Sequence, residues 1–375
     1  MPDALTAELE ALRDRAYSLA RDVLQPVHAE LIAGLPRAEA RRRVVAASKA
    51  AGIFPLTQPA AYGGTEAGPL ALTVVRDELA AHCHTPLAGT VFGPTPGVLA
   101  GVAEPLRGRY LAPLLKGEKR GGFAFTEPDD TPRHTHAVRR GDSLVITGRK
   151  SYVTGGGDAD FLNVLVDVEG EGRAMVVIDC TGPGVTIERR FESMDGGHHA
   201  AFRFDAVEVD ASQLIGKAGD GMSRALRQIG DTRLAIAADA VGRMRYVLTM
   251  LTTHLVAPHR AGDRLSDREG VRLRYADLRI KAFAARSMVY RTARLAESGR
   301  NVVNEVTACK VFASEALHEV IDGAIQLTGG IALNVGHPLE RLYREVRVLR
   351  IAEGASDVLR LNLARGKLEL GLGEI

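Results

Sequence analysis

The 375 residues are enough for two or three domains with a substantial core. Hydrophobic residues make up 46% and charged residues 25%, ordinary values for a soluble globular protein, and a net charge of +2 gives no overall reason to expect binding to nucleic acid or an anionic membrane. The three cysteines, Cys83, Cys180 and Cys309, are far apart, which fits a reducing cytoplasm and excludes a disulfide framework or a zinc ribbon.

No targeting segment, membrane span or metal site is expected. The first residues, MPDALTAELEALRDRAY, are charged and amphipathic, unlike a signal peptide, and no apolar run approaches the length that crosses a bilayer. The histidine-containing stretches HCH, RHTH and GGHH lack the i,i+4 spacing with a carboxylate that a metal site on a helix uses. We therefore predict a cytoplasmic protein without a metal.

The first third of the chain has the periodicity of amphipathic helices. Leu5, Leu9, Leu12, Ala16 and Leu19 recur at three- and four-residue steps. The stretches RAEARRRVVAASKAAGI and GPLALTVVRDELAAHC follow the same rule and are separated by a turn-rich segment. We predict an N-terminal helical domain over residues 1–120.

The pattern changes to short, alternating, β-branched stretches after Gly121. Segments such as ADFLNVLVDV, RAMVVIDC and AAFRFDAVEV are separated by Gly-containing turns, which is typical of an antiparallel sheet or barrel. From Gly219 the helical period returns in four long segments, enough for a four-helix bundle. The fold prediction is therefore α+β, mainly α, with a central antiparallel β domain over 121–218 and a C-terminal helical bundle over 219–375.

Five blocks in order carry a family resemblance. They are AAYGGTEAG with the following VRDELA, then FAFTEP, GDSLVITGRKSYVTGG, DAVEVDASQLIGKAGDGM, and AIQLTGGIALNVGHPLERLYREVRVLRIAEGASDVLRLNLAR. Together they resemble the acyl-CoA dehydrogenase family along nearly the whole chain. The resemblance implies that family's three-part fold, FAD between the β domain and the bundle, and a homodimer or homotetramer.

Glu353 is the candidate catalytic residue. It lies in the small, mostly apolar stretch IAEGAS just before a predicted helix, where a carboxylate either interacts with the helix dipole or acts as a base in a dry site. The resemblance implies the second role: Glu353 removes the α-proton of an acyl thioester while flavin accepts hydride from the β-carbon. Some family members place the base at the position of Thr232, which cannot do this chemistry. Thr232, Arg233 and Gly354 are the implied substrate-binding residues.

The resemblance also implies a set of FAD contacts. Hydroxyls at Thr126 and Thr154 match those that hydrogen-bond the isoalloxazine edge, and Tyr152 stands where the family usually has Trp. The motif Gln-x-x-Gly-Gly normally approaches the FAD of a neighbouring subunit. The full implied cofactor set is Thr126, Tyr152, Thr154, Arg260, Gln326, Gly329, Gly330, Ala355 and Asp357.

Departures from the family pattern concern mainly phosphate contacts. Asp129 and Asp130 begin a shortened loop in place of the usual Ala-Gly-Ser-Asp, and Pro258 occupies the position of a pyrophosphate-clamping Arg, beside His259 and Arg260. Further changes are Ala261 for Phe, Glu269 for Gln and Ala355 for Thr. Each lost hydrogen bond to a charged phosphate weakens FAD binding by about 1.5–3 kcal/mol.

Three functions are therefore open at the level of sequence. The first is an FAD-dependent dehydrogenase of a specialised acyl thioester, carried by CoA or by an acyl carrier protein, with an unidentified electron acceptor. The second is the same fold with weak or lost FAD, using Glu353 for isomerisation, elimination or cyclisation. The third is a non-catalytic partner subunit. Acyl chain identity is not predicted.

Overall fold

The computed structural model describes residues 4–259 and 262–371. Within these ranges the α-helices are α1 (Ala7–Leu19), α2 (Gln25–Ile32), α3 (Arg37–Ala50), α4 (Pro69–His82), α5 (Ala112–Lys116), α6 (Gly221–Val256), α7 (Glu269–Glu297), α8 (Val303–Thr328), α9 (Pro338–Arg347) and α10 (Ser356–Leu368). The strands are β1 (Gly121–Ala124), β2 (His136–Arg140), β3 (Ser143–Thr154), β4 (Phe161–Val168), β5 (Gly172–Asp179), β6 (Val185–Glu192), β7 (His198–Asp210) and β8 (Leu214–Ile215). The predicted order of helices, sheet and helices is confirmed.

Two compact units emerge from the contacts along the chain. The helical unit contains Thr65–Gly93 and the described residues of 1–57 and 230–375, and the β unit contains Gln58–Gly64 and Pro94–Ile229. The two boundaries drawn from sequence at 120/121 and 218/219 stay a prediction. No helix of the described residues combines the length and apolar character needed to cross a membrane. Across residues 4–259 and 262–371, His, Cys, Asp and Glu form no group of three or more suited to a metal ion.

The helical unit is organised around α8. Every residue from Asn304 to Val311 is buried, so this N-terminal part of the helix is covered on all sides rather than on one face. Its small residues let neighbouring helices approach, and the core joins α8 to α6, α7 and α9 through Cys309, Leu317 and Val320. The remaining bundle helix, α10, also packs on α8.

A buried ion cluster joins α4 to the bundle. The Asp77 side chain is fully buried and accepts hydrogen bonds from Arg245 at 2.9 Å, Arg286 at 2.8 Å and the Tyr290 hydroxyl at 2.8 Å. The approach of α4 to α6 requires glycine at position 242, because an added Cβ there would lie 2.4 Å from the Asp77 carbonyl oxygen. Three helices are thus held together by one carboxylate.

The strands described in the β unit form one mixed sheet. Their order is β6-β7-β3-β2-β4-β5-β8, and β1 pairs with β4 beside this path. Most pairings are antiparallel, as predicted, but β1 and β2 both run parallel to β4 and share the same edge of it, at residues 161–164 and 167–168. Strands β4 and β5 are buried almost throughout because both of their faces are covered. Leu162 and Val164 belong to one core, and Phe161 and Leu165 to the other.

The segment between β1 and β2 leaves the sheet and returns to the same strand edge. Glu127 holds this loop: one carboxylate oxygen accepts from the buried Lys150 ammonium at 2.8 Å and from the Thr135 N–H at 2.9 Å, and the other contacts His134 at 2.5 Å. Burial by itself would raise the pKa of Glu127, but the hydrogen bonds from Lys150 and His134 hold that pKa at about 2. The loop that carries the shortened motif is therefore held at both ends by the hydrogen bonds of Glu127 to Lys150, Thr135 and His134.

Candidate active site

Glu353 lies in a tight turn between α9 and α10. The turn covers Ile351–Gly354, and α10 begins only at Ser356, so the residue precedes the helix rather than capping it. Glu353 has φ of 55° and Gly354 has φ of 105°. A left-handed conformation costs a non-glycine residue about 1–2 kcal/mol, and this strain persists only where surrounding contacts maintain it.

Two cationic side chains maintain the turn. The Arg233 Nε of α6 donates a hydrogen bond to the Glu353 carbonyl oxygen at 2.9 Å. The Lys310 Nζ of α8 donates to the next carbonyl oxygen, that of Gly354, at 2.7 Å. Glycine is required at 354 by its φ and by space, since a Cβ there would lie 2.9 Å from Leu359 and 3.3 Å from the Arg233 guanidinium.

The carboxyl group of Glu353 is partly buried and electrostatically perturbed. Burial raises its pKa above the usual value of 4.5, although Arg233 and Lys310 both act to lower it. Burial and the nearby Arg233 lower the pKa of Lys310 to about 8. A carboxylate whose pKa is raised towards neutrality is the form that a general base takes in a desolvated site.

The backbone of the same turn offers hydrogen-bond donors. Within residues 4–259 and 262–371, the N–H groups of Glu353, Gly354 and Ala355 find no acceptor. Neighbouring N–H groups of this kind can bind a carbonyl oxygen on which negative charge develops. The turn therefore carries a base and candidate oxyanion donors together.

Of the predicted substrate-binding residues, Arg233 and Gly354 belong to this turn and its support. Thr232 is the neighbour of Arg233 on α6 and is half-buried. Lys310 was missed by the sequence reasoning. Its signal was present, because a lysine stands inside the apolar helical stretch VTACKVFAS, but nothing local indicated what that lysine contacts.

In the β unit, the structure brings Thr126, Tyr152 and Thr154 to one end of β3. The Ser151 N–H donates to the Thr126 carbonyl oxygen at 2.8 Å, and a register shift between Lys150 and Val153 places Tyr152 at φ of 54°. All three predicted residues are exposed, with Tyr152 at 61%. Two hydroxyls beside an exposed ring have the chemistry needed to hold the edge of a flavin.

A polar chain that sequence reasoning did not identify continues from Thr154. The Thr154 hydroxyl lies 3.3 Å from His199 Nδ1, and His199 Nε2 lies 3.1 Å from the Ser193 hydroxyl, which donates to Asp195. The His199 ring also stacks on Phe191, which packs against the edge of Tyr152. These contacts orient Thr154 and Tyr152, two of the residues that were predicted to meet the cofactor.

The loop that begins with Asp129 and Asp130 repels phosphate less than its sequence indicates. Asp130 forms an ion pair with Arg149 at 3.1 Å, so its charge is partly compensated, whereas Asp129 is exposed. Near the missing clamp, Pro258 forms a β-bridge with Arg264 and the His259 N–H donates to the Asp263 carbonyl oxygen at 2.7 Å. Arg260 and Ala261 lie outside the described residues.

The remaining predicted cofactor residues surround the ends of α8 and α10. Gln326 is exposed on the last turn of α8, and the residue that follows the helix, Gly329, has φ of 82°. An added Cβ at Gly330 would meet no described atom within 4 Å, so packing within the described chain does not require glycine there. Ala355 is the N-cap residue of α10, and Asp357 in its first turn is almost fully exposed.

The chain is similar to known proteins along most of its length. The models of the acyl-CoA dehydrogenase N-terminal and C-terminal domains match residues 6–118 and 219–368. A 3-(aryl)acrylate reductase from Clostridium sporogenes is 26% identical over 97% of this chain and 99% of its own length. A cyclohexane-1-carbonyl-CoA dehydrogenase from Geobacter metallireducens is 29% identical over 84% of this chain and 86% of its own length. The crystal structure of a putative acyl-CoA dehydrogenase from Mycobacterium smegmatis gives a TM-score of 0.83 at 27% identity, covering 96% of this chain and 98% of that one.

Proposed function

This chain belongs to the acyl-CoA dehydrogenase family, whose members are oxidoreductases acting on CH–CH groups, and from that premise we propose that it catalyses α,β-dehydrogenation of an acyl thioester with Glu353 as the base. The observation that carries the proposal is the state of Glu353. Its carboxyl group is half-buried with a raised pKa, in a strained turn whose carbonyl groups are held by two cations.

The proposed reaction starts with the removal of a proton from the carbon next to the thioester carbonyl. That carbon acid is weak, so the carboxylate must be a stronger base than an exposed one, and burial of Glu353 provides this. Negative charge then develops on the thioester oxygen, and the N–H of Glu353, which has no acceptor among the described residues, would donate to it. Glu353 ends the step protonated and returns its proton to solvent.

Family members generally bind FAD, and we propose that this chain does so through Thr126, Tyr152 and Thr154. When bound, FAD supplies the acceptor for the hydride that leaves the β-carbon. The three residues suit such a group because they are exposed at one end of β3, where His199 contacts Thr154 and Phe191 packs against Tyr152. Arg260, Gln326, Gly329, Gly330, Ala355 and Asp357 complete the proposed set.

A second candidate function is proton transfer without flavin. The exposed Asp129 in the shortened loop and Pro258 at the clamp position favour it, because both weaken phosphate binding. In that case Glu353 would still remove the α-proton, and the product would be an isomer or an elimination or cyclisation product. The two functions differ in one property that is easily measured, the presence of flavin.

The test uses the full chain, purified and incubated with FAD, then mixed without oxygen with a panel of acyl-CoA and acyl-carrier-protein thioesters. We expect a yellow protein whose flavin absorbance bleaches with at least one thioester, and a Glu353→Gln variant that keeps its flavin but bleaches about 10²–10⁴-fold more slowly. Glu369→Gln, an exposed change near the end of α10, is the matched control. A colourless protein that cannot take up FAD would favour the second function, and normal bleaching by Glu353→Gln would refute the assignment of the base.

A further inference from the structure

Lys310 is an unusual buried cation. Its side chain is fully buried in the first half of α8, and within residues 4–259 and 262–371 its ammonium has no carboxylate within 4.0 Å. Its hydrogen bond goes to the Gly354 carbonyl oxygen at 2.7 Å. An ammonium taken out of water without an ion-pair partner is costly, so its backbone acceptor becomes the main compensation.

The acceptor belongs to the strained turn of Glu353. Arg233 and Lys310 come from different helices and hold two successive carbonyl oxygens, those of residues 353 and 354. These are the two residues of the turn with positive φ. The strained conformation is therefore maintained from two directions, by α6 on one peptide group and by α8 on the next.

The direction of the carbonyl groups determines the direction of the next N–H groups. Both peptide bonds are trans, so each carbonyl and the N–H that follows it point to opposite sides of the peptide plane. With both carbonyls aimed at Arg233 and Lys310, the N–H groups of Gly354 and Ala355 point away from these cations. The two hydrogen bonds from Arg233 and Lys310, which together act as a tether, thus hold Glu353 and the adjacent N–H donors in one conformation.

We propose that Lys310 is a positioning residue for catalysis, which holds the turn through the Gly354 carbonyl so that Glu353 and the neighbouring N–H groups face the thioester. This inference rests on the proposed function for its catalytic part. Lys310 also acts on Glu353 through its charge.

Three charged groups act on Lys310 in turn. The positive charge of Arg233 lowers the pKa of Lys310, whereas the negative charges of Glu353 and Glu315 raise it.

The first test measures the Glu353 carboxyl group directly and needs neither substrate nor flavin. The full chain is labelled with carboxyl-¹³C glutamate, and the Glu353 signal is identified by its absence from Glu353→Gln. We expect Lys310→Met to raise the pKa of Glu353 by at least about half a unit, because a nearby positive charge is lost. Ser314→Ala, one turn further along the same helix, removes a buried hydroxyl without touching the turn and should leave that pKa unchanged.

The second test measures turnover of the FAD-loaded enzyme. Because misplacing a reacting group slows the chemical step, Lys310→Met should lower kcat by about 10–100-fold while changing KM less. Ser314→Ala should have kcat near that of the unmodified protein. Where Lys310→Met does not fold, Lys310→Gln, which keeps an N–H donor but removes the charge, gives the same pKa comparison.

The two proposals fail in different ways. A Glu353 pKa that does not move in Lys310→Met or Lys310→Gln overturns this inference, and so does an unchanged kcat in an active enzyme. If the pKa rises as expected but the unmodified protein turns over no thioester, the proposed function fails, while the charge interaction between Lys310 and Glu353 stands.

Discussion

Glu353 combines two costs that a surface glutamate avoids, a left-handed backbone and partial burial of an ionisable group. The backbone costs about 1–2 kcal/mol, and burial raises the pKa of the carboxyl group above 4.5. Arg233 and Lys310 offset the first cost by hydrogen bonds to the carbonyl oxygens of residues 353 and 354, and their positive charges oppose the rise in pKa. A residue held at such cost is a strong candidate for chemistry, since strain and perturbed pKa values concentrate at functional sites.

The raised pKa of Glu353 predicts the acid limb of the pH–rate profile. The base acts only when ionised, so kcat/KM should fall as pH decreases through the folded-state pKa, with its midpoint above 4.5. The measurement is kcat/KM across a pH series in which stability is checked by circular dichroism. A midpoint at or below 4.5, in a protein that stays folded, contradicts a desolvated base.

At the scale of elements, buried charges join α4, α6 and α7 to one another and join α6 and α8 to the turn of Glu353. The Asp77 cluster joins α4, α6 and α7, while Lys310 of α8 and Arg233 of α6 reach the turn before α10. Charges buried in this way stabilise the fold only while all partners are present. Removing one of these buried charges should therefore lower the free energy of unfolding far more than the loss of a surface ion pair.

Asp77→Asn should destabilise the protein by about 3–5 kcal/mol, because Arg245 and Arg286 lose the charge of a fully buried carboxylate, although Arg245 keeps its ion pair with Glu78 at 3.1 Å. The free energy of unfolding is measured by urea titration. The matched control is Asp239→Asn, which breaks the half-exposed pair with Arg76 at 3.3 Å and should cost about 1 kcal/mol or less. Equal effects of the two variants would show that the Asp77 cluster is not a special stabilising element.

Lys310 predicts a pH dependence of stability with a definite sign. Its folded pKa of about 8 lies below the usual 10.5, so between these values the unfolded chain binds the extra proton and stability should rise with pH. Relative to Lys310→Met, the unmodified protein should gain up to about 3 kcal/mol of unfolding free energy from pH 7 to pH 10. A constant difference between the two proteins over this range contradicts a lowered pKa for Lys310.

For the whole molecule, periodicity and motif order predicted the fold well. The helical stripes, the β-branched alternation and the block around Glu353 are local signals, and local signals survive in a single sequence. The parallel pairing of β1 and β2 with one edge of β4 is not local, so the pattern predicted an antiparallel sheet and missed it. The family models match 6–118 and 219–368, and the altered loop with Asp129 lies between these ranges.

In the candidate site, too, local features could be predicted from the sequence and non-local contacts could not. Glu353 stood in a recognisable block, but its support comes from residues 120 and 43 positions away in the chain, Arg233 and Lys310. Lys310 occupies a helical position whose pattern indicates only a core, and the contact of His199 with Thr154 depends on the pairing of β3 with β7. Such contacts follow from tertiary packing, which spacing along one sequence does not encode.

The most direct test of Glu353 as the base is hydrogen exchange at the substrate's α-carbon. The full chain, with and without added FAD, is incubated in deuterium oxide with saturated straight-chain, branched and aryl-substituted acyl-CoA thioesters, and α-deuterium is measured by mass spectrometry. We predict that the unmodified protein and Glu369→Gln incorporate deuterium into at least one thioester, and that Glu353→Gln does so at least about a hundredfold more slowly. Incorporation by Glu353→Gln at the rate of the unmodified protein would contradict the account.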